Sequence, residues 1–437
     1  MKRKLISLLL AAAFSCGTLP ALQCMAAEDG SNFANPIISR GAPAYSGKSD
    51  GAQFANDEFY YTSWTASTDD YIAYDLSSVP EEQRRQVLAV WYNNSTYDNI
   101  GLYVSRADEP EDYTIEVNMA AGGSYPDSGW EAAETVTGNS YSSRQRLIDM
   151  EGCNWIRLNV TKANGNRVSL NFDIHSASNG VSDSWVFFGD SITAGGMGNA
   201  YGTGFATYVN QIDSRFFPAQ QNGGIGGITS RDGKENIDKW LDSSPVKYVS
   251  IAFGTNDCWG NPYNTAAYYE NTKYMIDAVL KAGKVPILPK IPYSTNPDVG
   301  SNVGSYNAMI DKLYSEYGDS LVHGPDFEEY FRENTWGLGS DGVHPNAEGY
   351  DGMRKLWAET MYTNVYSKLP TEAEVQQTIK GDVNGDGSFT VADLVTMQRW
   401  LLGAPDTLLA DWQAGDLCED GRIDTFDLSA MRGEIAA

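Results

Sequence analysis

The hydrophobic pattern of this chain changes period at Ser182. Before that residue, apolar side chains recur at every second position. After it, short apolar runs alternate with stretches of helical spacing. A period of two marks strands with one buried face, whereas apolar runs separated by helices mark strands covered on both faces. One core does not serve both patterns, so the chain is expected to fold as separate units. Its 437 residues agree with this, being enough for roughly two to four domains.

The region from about Asn32 to Ser178 reads as β. Ile156, Leu158 and Val160 alternate with Arg157, Asn159 and Thr161; Val168, Leu170, Phe172 and Ile174 alternate with Ser169, Asn171, Asp173 and His175. Asn164-Gly165 between them predicts a hairpin turn. The alternation predicts an antiparallel sandwich with one wet face per sheet, and it puts His175 on that wet face. Further strands are expected at Tyr71–Leu76, Gln86–Tyr92, Ile100–Ser105 and Tyr113–Met119.

Beyond Ser182 the expected strands are Trp185–Phe188, Phe216–Gln221, Val246–Phe253, Val285–Ile291 and Leu321–Val322. Helices are expected around Phe205–Ile212, Lys234–Leu241, Thr265–Ala282, Val303–Tyr317 and Ala347–Tyr362. Strands with interposed helices predict a five-stranded parallel sheet in an α/β/α sandwich, with chemistry at its carboxyl edge.

Four separated blocks sit at such strand ends. Gly189-Asp190-Ser191-Ile192-Thr193 follows an apolar strand and presents a serine. Asn222-Gly223-Gly224-Ile225-Gly226-Gly227 is a glycine-rich turn where bare backbone N–H groups can approach a substrate. Gly254-Thr255-Asn256-Asp257 offers a side-chain amide. Asp341-Gly342-Val343-His344-Pro345 offers an imidazole with a carboxylate three residues upstream. A serine nucleophile needs a base, a group that orients the base, and donors for the oxyanion. Of the three histidines, His175 lies in the β region, and His323 lacks an upstream Asp and reads as structural.

On these blocks the central stretch resembles an SGNH (GDSL-type) hydrolase. The family's four markers match Ser191, Gly227, Asn256 and His344, with Asp341 as third triad member. The resemblance implies a flavodoxin-like fold and ester hydrolysis through an acyl-enzyme. Ser191 is then the nucleophile, His344 the general base and acid, and Asp341 its orienting partner. The N–H groups of Ser191 and Gly227 and the Asn256 amide then form the oxyanion hole. The resemblance calls for no cofactor in catalysis.

The C-terminal segment repeats itself. Asp382-Val383-Asn384-Gly385-Asp386-Gly387 returns as Asp416-Leu417-Cys418-Glu419-Asp420-Gly421. The first repeat offers Asp382, Asn384, Asp386, Ser388 and Asp393 at the spacing of a calcium loop, with Thr390 acting through water. The second offers Asp416, Asp420, Arg422 (by its carbonyl), Asp424 and Asp427. It sets Cys418 where an oxygen is expected, which suits calcium poorly. The duplicated loop and helix resemble a type I dockerin. That resemblance implies structural Ca2+ and docking to the cohesin module of a cellulosomal scaffold through Val391, Ala392, Thr425 and Phe426.

The formal net charge of −26 disfavours nucleic acid and anionic lipid as partners. Lys2, Arg3 and Lys4 before a short apolar run read as a secretion signal over 1–27, too short to span a bilayer. Cys153, Cys258 and Cys418 make no disulfide framework and are expected to be buried thiols. The resulting division is a signal peptide (1–27), a jelly-roll-like or carbohydrate-binding-like β-sandwich (28–178), a hydrolase domain (179–365), a linker (366–378) and a small all-α dockerin (379–437).

A secreted serine esterase with a scaffold-docking module is expected to deacetylate plant cell-wall polysaccharide such as xylan or mannan. The alternatives are another acyl class (feruloyl, pectin-acetyl or lipid) or a carbohydrate-binding component whose hydrolase is silent. The β region has two readings: a sugar-stacking platform of exposed Tyr60, Tyr61, Trp64 and Trp91, or a sandwich that packs on the hydrolase and shapes its cleft.

Overall fold

The structure is a computed structural model describing residues 35–57, 59–93, 108–141, 143–197, 204–242, 245–369, 380–384, 388–404, 407, 409, 412–418 and 422–436. The expected export signal, the expected strand Ile100–Ser105, most of the expected linker, and loop residues Asp386 and Asp420 lie outside the described residues.

The N-terminal region forms two antiparallel sheets. Its strands are β1 (Ala44–Ser46), β2 (Trp64–Ala66), β3 (Asp70–Asp75), β4 (Gln86–Asn93), β5 (Glu109–Asn118), β6 (Glu131–Val136), β7 (Ser143–Asp149), β8 (Trp155–Asn164) and β9 (Val168–Ser176), with one helical turn, α1 (Glu81–Arg84). One sheet has the order β1-β3-β8-β5-β6 and the other β2-β9-β4-β7. Between them lies one core that takes Ile156, Leu158 and Val160 from β8 and Leu170, Phe172 and Ile174 from β9. Tyr74 stacks on Phe172 across this core and donates its hydroxyl to the Phe172 carbonyl at 2.8 Å.

Three expectations are corrected here. The segments around Asn164-Gly165 do not form a hairpin: β8 pairs with β3 and β5, while β9 pairs with β2 and β4 in the facing sheet. Their alternation aims both apolar faces at the shared core, and that requirement is met equally by two strands on opposite sheets. His175 is fully buried rather than wet. So are Trp64 and Trp91, with Tyr60 at 9 % exposure, which leaves only Tyr61 of the expected platform exposed.

Trp64 and Trp91 fill the sandwich core, whereas Tyr60 and His175 are covered on the outer face of the β2-β9-β4-β7 sheet. Leu88, Val90 and Tyr92 of β4 point away from the sandwich core. With Tyr60 they form a second cluster with Ala206, Phe217 and Ala219 of the following unit. Full burial of side chains of this size contributes about 1.5–3 kcal/mol each, so the two units are held as partners. The polar face of β9 is buried with them: Tyr60 donates its hydroxyl to Asp173 Oδ2 at 2.5 Å, and His175 Nδ1 lies 2.9 Å from the Asn35 carbonyl.

The central unit is a parallel sheet of β10 (Ser184–Gly189), β11 (Ala219–Gly224), β12 (Tyr248–Ala252), β13 (Val285–Lys290) and β14 (Val322–Asp326), in the order β11-β10-β12-β13-β14. Its helices are α2 (Ser191–Gly196), α3 (Phe205–Ile212), α4 (Ser230–Asp242), α5 (Thr255–Cys258), α6 (Thr265–Lys281), α7 (Pro297–Tyr317), α8 (Phe327–Glu333) and α9 (Ala347–Asn364). Alternate residues of β10 serve opposite layers. Val186 and Phe188 pack with Ile237, Met275 and Ile310 of α4, α6 and α7, and Trp185 and Phe187 with Phe205, Met353 and Trp357 of α3 and α9. The expected three-layer α/β/α arrangement is therefore present.

β11 begins three residues later than expected, at Ala219. It runs through Gln220, Gln221 and Asn222, a polar stretch that periodicity does not mark as a strand. Its buried polar groups are satisfied locally: Ala206 N–H donates to Gln220 Oε1 at 3.1 Å, and Asn222 Nδ2 donates to the Ala194 carbonyl at 2.9 Å.

The C-terminal unit packs α10 (Val391–Leu401), α11 (Trp412–Gly415) and α12 (Thr425–Ala436) around Val383, Met397, Leu428 and Met431. Cys153 and Cys258 are buried as expected, whereas Cys418 is exposed in this small unit.

Candidate active site

β10 ends at Gly189, and Asp190 caps α2 by accepting the Ile192 N–H at 3.0 Å. Ser191 therefore stands at the first helical position, where a backbone N–H has no intrahelical acceptor. Burial pushes the Asp190 carboxyl up to about 6, while the Ile192 N–H pulls it down. Its contribution is to shape the turn.

Ser191 Oγ lies 2.8 Å from His344 Nε2, and His344 Nδ1 lies 2.6 Å from Asp341 Oδ2. The chain thus closes 153 residues of separation into a hydrogen-bonded row of hydroxyl, imidazole and carboxylate. Asp341 has a second task. Its Oδ1 accepts the N–H groups of Val343 and His344, each at 3.0 Å, so the same carboxylate folds the turn that carries the imidazole. Partial burial opposes its ionisation, but the bonds from the His344 ring and these two N–H groups outweigh that and hold its carboxyl below the usual range. The loop is tied down further by Gly339 N–H to the His344 carbonyl at 2.7 Å and by Ser294 Oγ to the Gly342 carbonyl at 2.6 Å.

The glycine-rich loop is anchored at both ends. Ile225 N–H donates to the Gly189 carbonyl at 2.9 Å, next to the nucleophile turn. The Ile228 carbonyl accepts Asn256 Nδ2 at 2.8 Å, which fixes the Asn256 amide and leaves its other N–H to point elsewhere. Gly227 between them is exposed and has φ +80°, a conformation that L side chains rarely adopt. Behind this loop, Asp257 accepts the Ser230 N–H at 2.9 Å and so joins α5 to the start of α4. The structure therefore gathers the Ser191, His344 and Asp341 side chains at one sheet edge, with the Gly227 loop and Asn256 anchored beside them. His323 lies elsewhere, with its ring stacked on Tyr314 at 3.6 Å, and Asp326 caps α8 by accepting the Glu329 N–H.

The β region supplies residues to this neighbourhood that no motif announces. Ser143 Oγ accepts the Asn222 N–H at 3.1 Å, and Gln145 Nε2 donates to the carbonyls of Trp185 and Ala219 at 2.8 and 3.2 Å. A serine and a glutamine in a polar run carry no signal of this use; only the docking of β7 beside β11 creates it.

In the C-terminal unit the two repeats share one geometry. Asp393 accepts the N–H groups of Asn384 and Thr390 at 3.1 and 2.8 Å; Asp427 accepts those of Cys418 and Asp424 at 3.0 and 2.9 Å. Both carboxylates are buried, as is Asp382, while Ser388 and Arg422 are exposed and Asp416 and Asp424 half-buried. Asp393 and Asp427 thus close their loops through backbone N–H groups, and among the described residues no group of three or more His, Cys, Asp or Glu side chains is placed to hold a metal ion. Val391, Ala392, Thr425 and Phe426 are all exposed, and each pair opens one helix of the repeat.

Residues 187–351 match the model of the GDSL-like lipase/acylhydrolase family, and residues 380–436 that of the type I dockerin domain. A multidomain esterase of Ruminococcus flavefaciens is 27 % identical over an alignment of 205 residues that covers 43 % of this chain and 26 % of that protein. The match thus spans about a quarter of the relative's length. Among solved structures, an acetylxylan esterase from Geobacillus stearothermophilus is 22 % identical, with 44 % of this chain and 98 % of that one covered and a TM-score of 0.35. A lipase/acylhydrolase from Enterococcus faecalis is also 22 % identical, with 41 % and 95 % covered and a TM-score of 0.35.

Proposed function

From a chain that carries a GDSL-like lipase/acylhydrolase domain followed by a type I dockerin domain, we propose a secreted serine esterase that deacetylates plant cell-wall polysaccharide while held on a cohesin-bearing scaffold. The observation that carries the esterase reading is the row Ser191 Oγ, His344 and Asp341, with contacts of 2.8 and 2.6 Å. In this mechanism His344 Nε2 takes the Ser191 proton as Oγ bonds to the ester carbonyl carbon. The tetrahedral oxyanion is held by the N–H groups of Ser191 and Gly227 and by the free N–H of the Asn256 amide. Collapse expels the alcohol, which receives the proton from His344, and leaves an acyl-serine. Water, deprotonated by His344, then releases the acid and restores Ser191. Asp341 holds the tautomer with Nδ1 protonated and stabilises the imidazolium.

The intact row argues against a silent hydrolase. Acetylated hemicellulose is favoured over other esters by the dockerin domain, since a cohesin scaffold places the esterase among polysaccharide-degrading partners. The strand order of the N-terminal sheets, β2-β9-β4-β7 over β3-β8-β5-β6, supports reading residues 28–178 as a jelly roll that packs on the hydrolase. Calcium in the C-terminal loops would be held by Asp382, Asn384, Asp386, Ser388 and Asp393, and by Asp416, Asp420, Arg422, Asp424 and Asp427. It would supply structure rather than chemistry. The cohesin contact would fall on Val391, Ala392, Thr425 and Phe426.

Acetate release from acetylated xylan, mannan and pectin tests the reading. Wild-type protein is expected to release acetate from at least one hemicellulose, and Ser191→Ala from none. Undiminished release by Ser191→Ala moves the nucleophile elsewhere, and feruloyl or lipid esters as the only substrates overturn the acyl assignment.

A further inference from the structure

A cleft of about 220 Å³ opens where the β region meets the oxyanion loop. Its walls include Tyr141 from the β region, Ile225 and Ile228 from either side of Gly227, and Asp232, Asn236 and Lys239 from α4. Tyr141 is held there through both its backbone and its ring. The buried side chain of Asn139 clamps its backbone from both sides: Asn139 Nδ2 donates to the Tyr141 carbonyl at 2.8 Å, and Asn139 Oδ1 accepts the Tyr141 N–H at 3.2 Å. Asn139 is itself tied to the carbonyls of Pro110 and Glu111 at 2.9 and 2.8 Å. Two residues on, Ser143 bonds the Asn222 backbone at the base of the glycine-rich loop. The Arg144 guanidinium sits 4.2 Å from the centre of the Tyr141 ring and fixes its orientation.

We propose that this interdomain cleft is a subsite for a sugar residue of the polysaccharide backbone neighbouring the one whose ester is cleaved. Three features select a sugar. An aromatic ring and two isoleucines offer apolar surface for the C–H face of a pyranose. Asp232, Asn236 and Lys239 offer acceptors and donors for hydroxyls along the opposite wall. The volume is below the roughly 300–1,000 Å³ of pockets for larger ligands and suits one ring. Ile225 and Ile228 belong to the loop that bears Gly227, so a sugar held here lies against the same loop that would form the oxyanion hole. Preorganisation of Tyr141 removes an ordering cost from binding. The β region on this view acts as part of the substrate groove, and its aromatic contact is Tyr141 rather than a platform on its own sheet.

The subsite rests on the polysaccharide-esterase reading, and one experiment separates the two. Full-length wild type, Tyr141→Ala and Lys239→Ala are compared on a small aryl acetate and on acetylated xylooligosaccharides of increasing length. Both variants are expected to lose about tenfold in kcat/KM on the longer oligosaccharides, equivalent to about 1.4 kcal/mol. Both are expected to stay within about twofold of wild type on aryl acetate, because neither side chain touches the reacting atoms. Lys239 is exposed on α4, so its variant tests the cleft even if Tyr141→Ala disturbs domain packing. Equal losses on both substrates reduce Tyr141 to a support for the oxyanion loop and overturn the subsite, as do variants indistinguishable from wild type on oligosaccharides. Wild type that cleaves aryl acetate but no acetylated oligosaccharide overturns the substrate reading and the subsite with it.

Discussion

Asp341 illustrates how much one side chain carries. One oxygen meets the His344 ring and the other closes the turn beneath it. Replacing it by Asn keeps an oxygen for the turn but sets an N–H donor against Nδ1 and favours the wrong tautomer. Asp341→Asn is therefore expected to lower kcat by about 10⁴, and His344→Ala by about 10⁶, with thermal stability little changed in the first. Steady-state rates on an aryl ester check the order, and an equal or larger loss in Asp341→Asn contradicts the orienting role. These side chains were legible in the sequence because the chemistry demands their types and the short spacing from 341 to 344 closes one turn. Asn139, Tyr141 and Ser143 were not, because their uses depend on what docks against them.

Among elements, the approach of β11 to α2 sets the distance between the Gly227 loop and Ser191. A Cβ on Gly224 would stand 2.2 Å from the Ala194 backbone nitrogen, so the strand and the nucleophile helix touch with no room for a side chain. Gly224→Ala must separate them, at a cost of about 1–3 kcal/mol. A lowered melting temperature and a reduced kcat on aryl ester are expected together. A melting curve and activity equal to wild type would mean that the strand and helix separate without consequence. The helices and most strands of this unit follow from hydrophobic periodicity. β11 departs from it, since Gln220, Gln221 and Asn222 become strand only because neighbouring backbone and the β region satisfy their polar groups. The segments around Asn164-Gly165 depart for a different reason. Alternation states which face is buried, and the partner strand is chosen by how two sheets close over one core.

For the molecule as a whole, ionisable groups buried within and between the two larger units set a pH response. Burial, opposed by the Tyr60 hydroxyl, raises the Asp173 carboxyl to about 6; burial likewise raises Asp183 to about 6 against hydrogen bonds from Tyr366 and Trp185. A carboxyl raised on folding favours the folded state below its unfolded value near 3.8, and that advantage is lost as pH rises through about 6. Burial lowers His175 to about 4, so its contribution runs the other way and is lost as pH falls from about 6.5 to 4. Asp173→Asn, which removes the ionising group but keeps an acceptor for Tyr60, is expected to raise the melting temperature at pH 7.5 and to raise it only about half as much at pH 5. A rise of equal size at both values would point to packing instead. The C-terminal unit is expected to respond separately. Chelation with EGTA should unfold residues 380–436 by circular dichroism and abolish cohesin binding, while aryl ester turnover stays constant; a complex that survives EGTA removes calcium from the docking argument.

What the sequence determined alone is the set of candidate catalytic side chains, the parallel α/β/α unit around them and the duplicated C-terminal loop. Each is specified by residue types and spacings within a short stretch of chain. Tertiary structure decided which sheet each strand joins, the burial of His175, Trp64 and Trp91, and the approach of Tyr141 and Ser143 to the oxyanion loop. Those outcomes depend on surfaces that meet across more than seventy residues of sequence, as Ser143 and Asn222 do. A local pattern records that a face must be covered, and only packing settles what covers it.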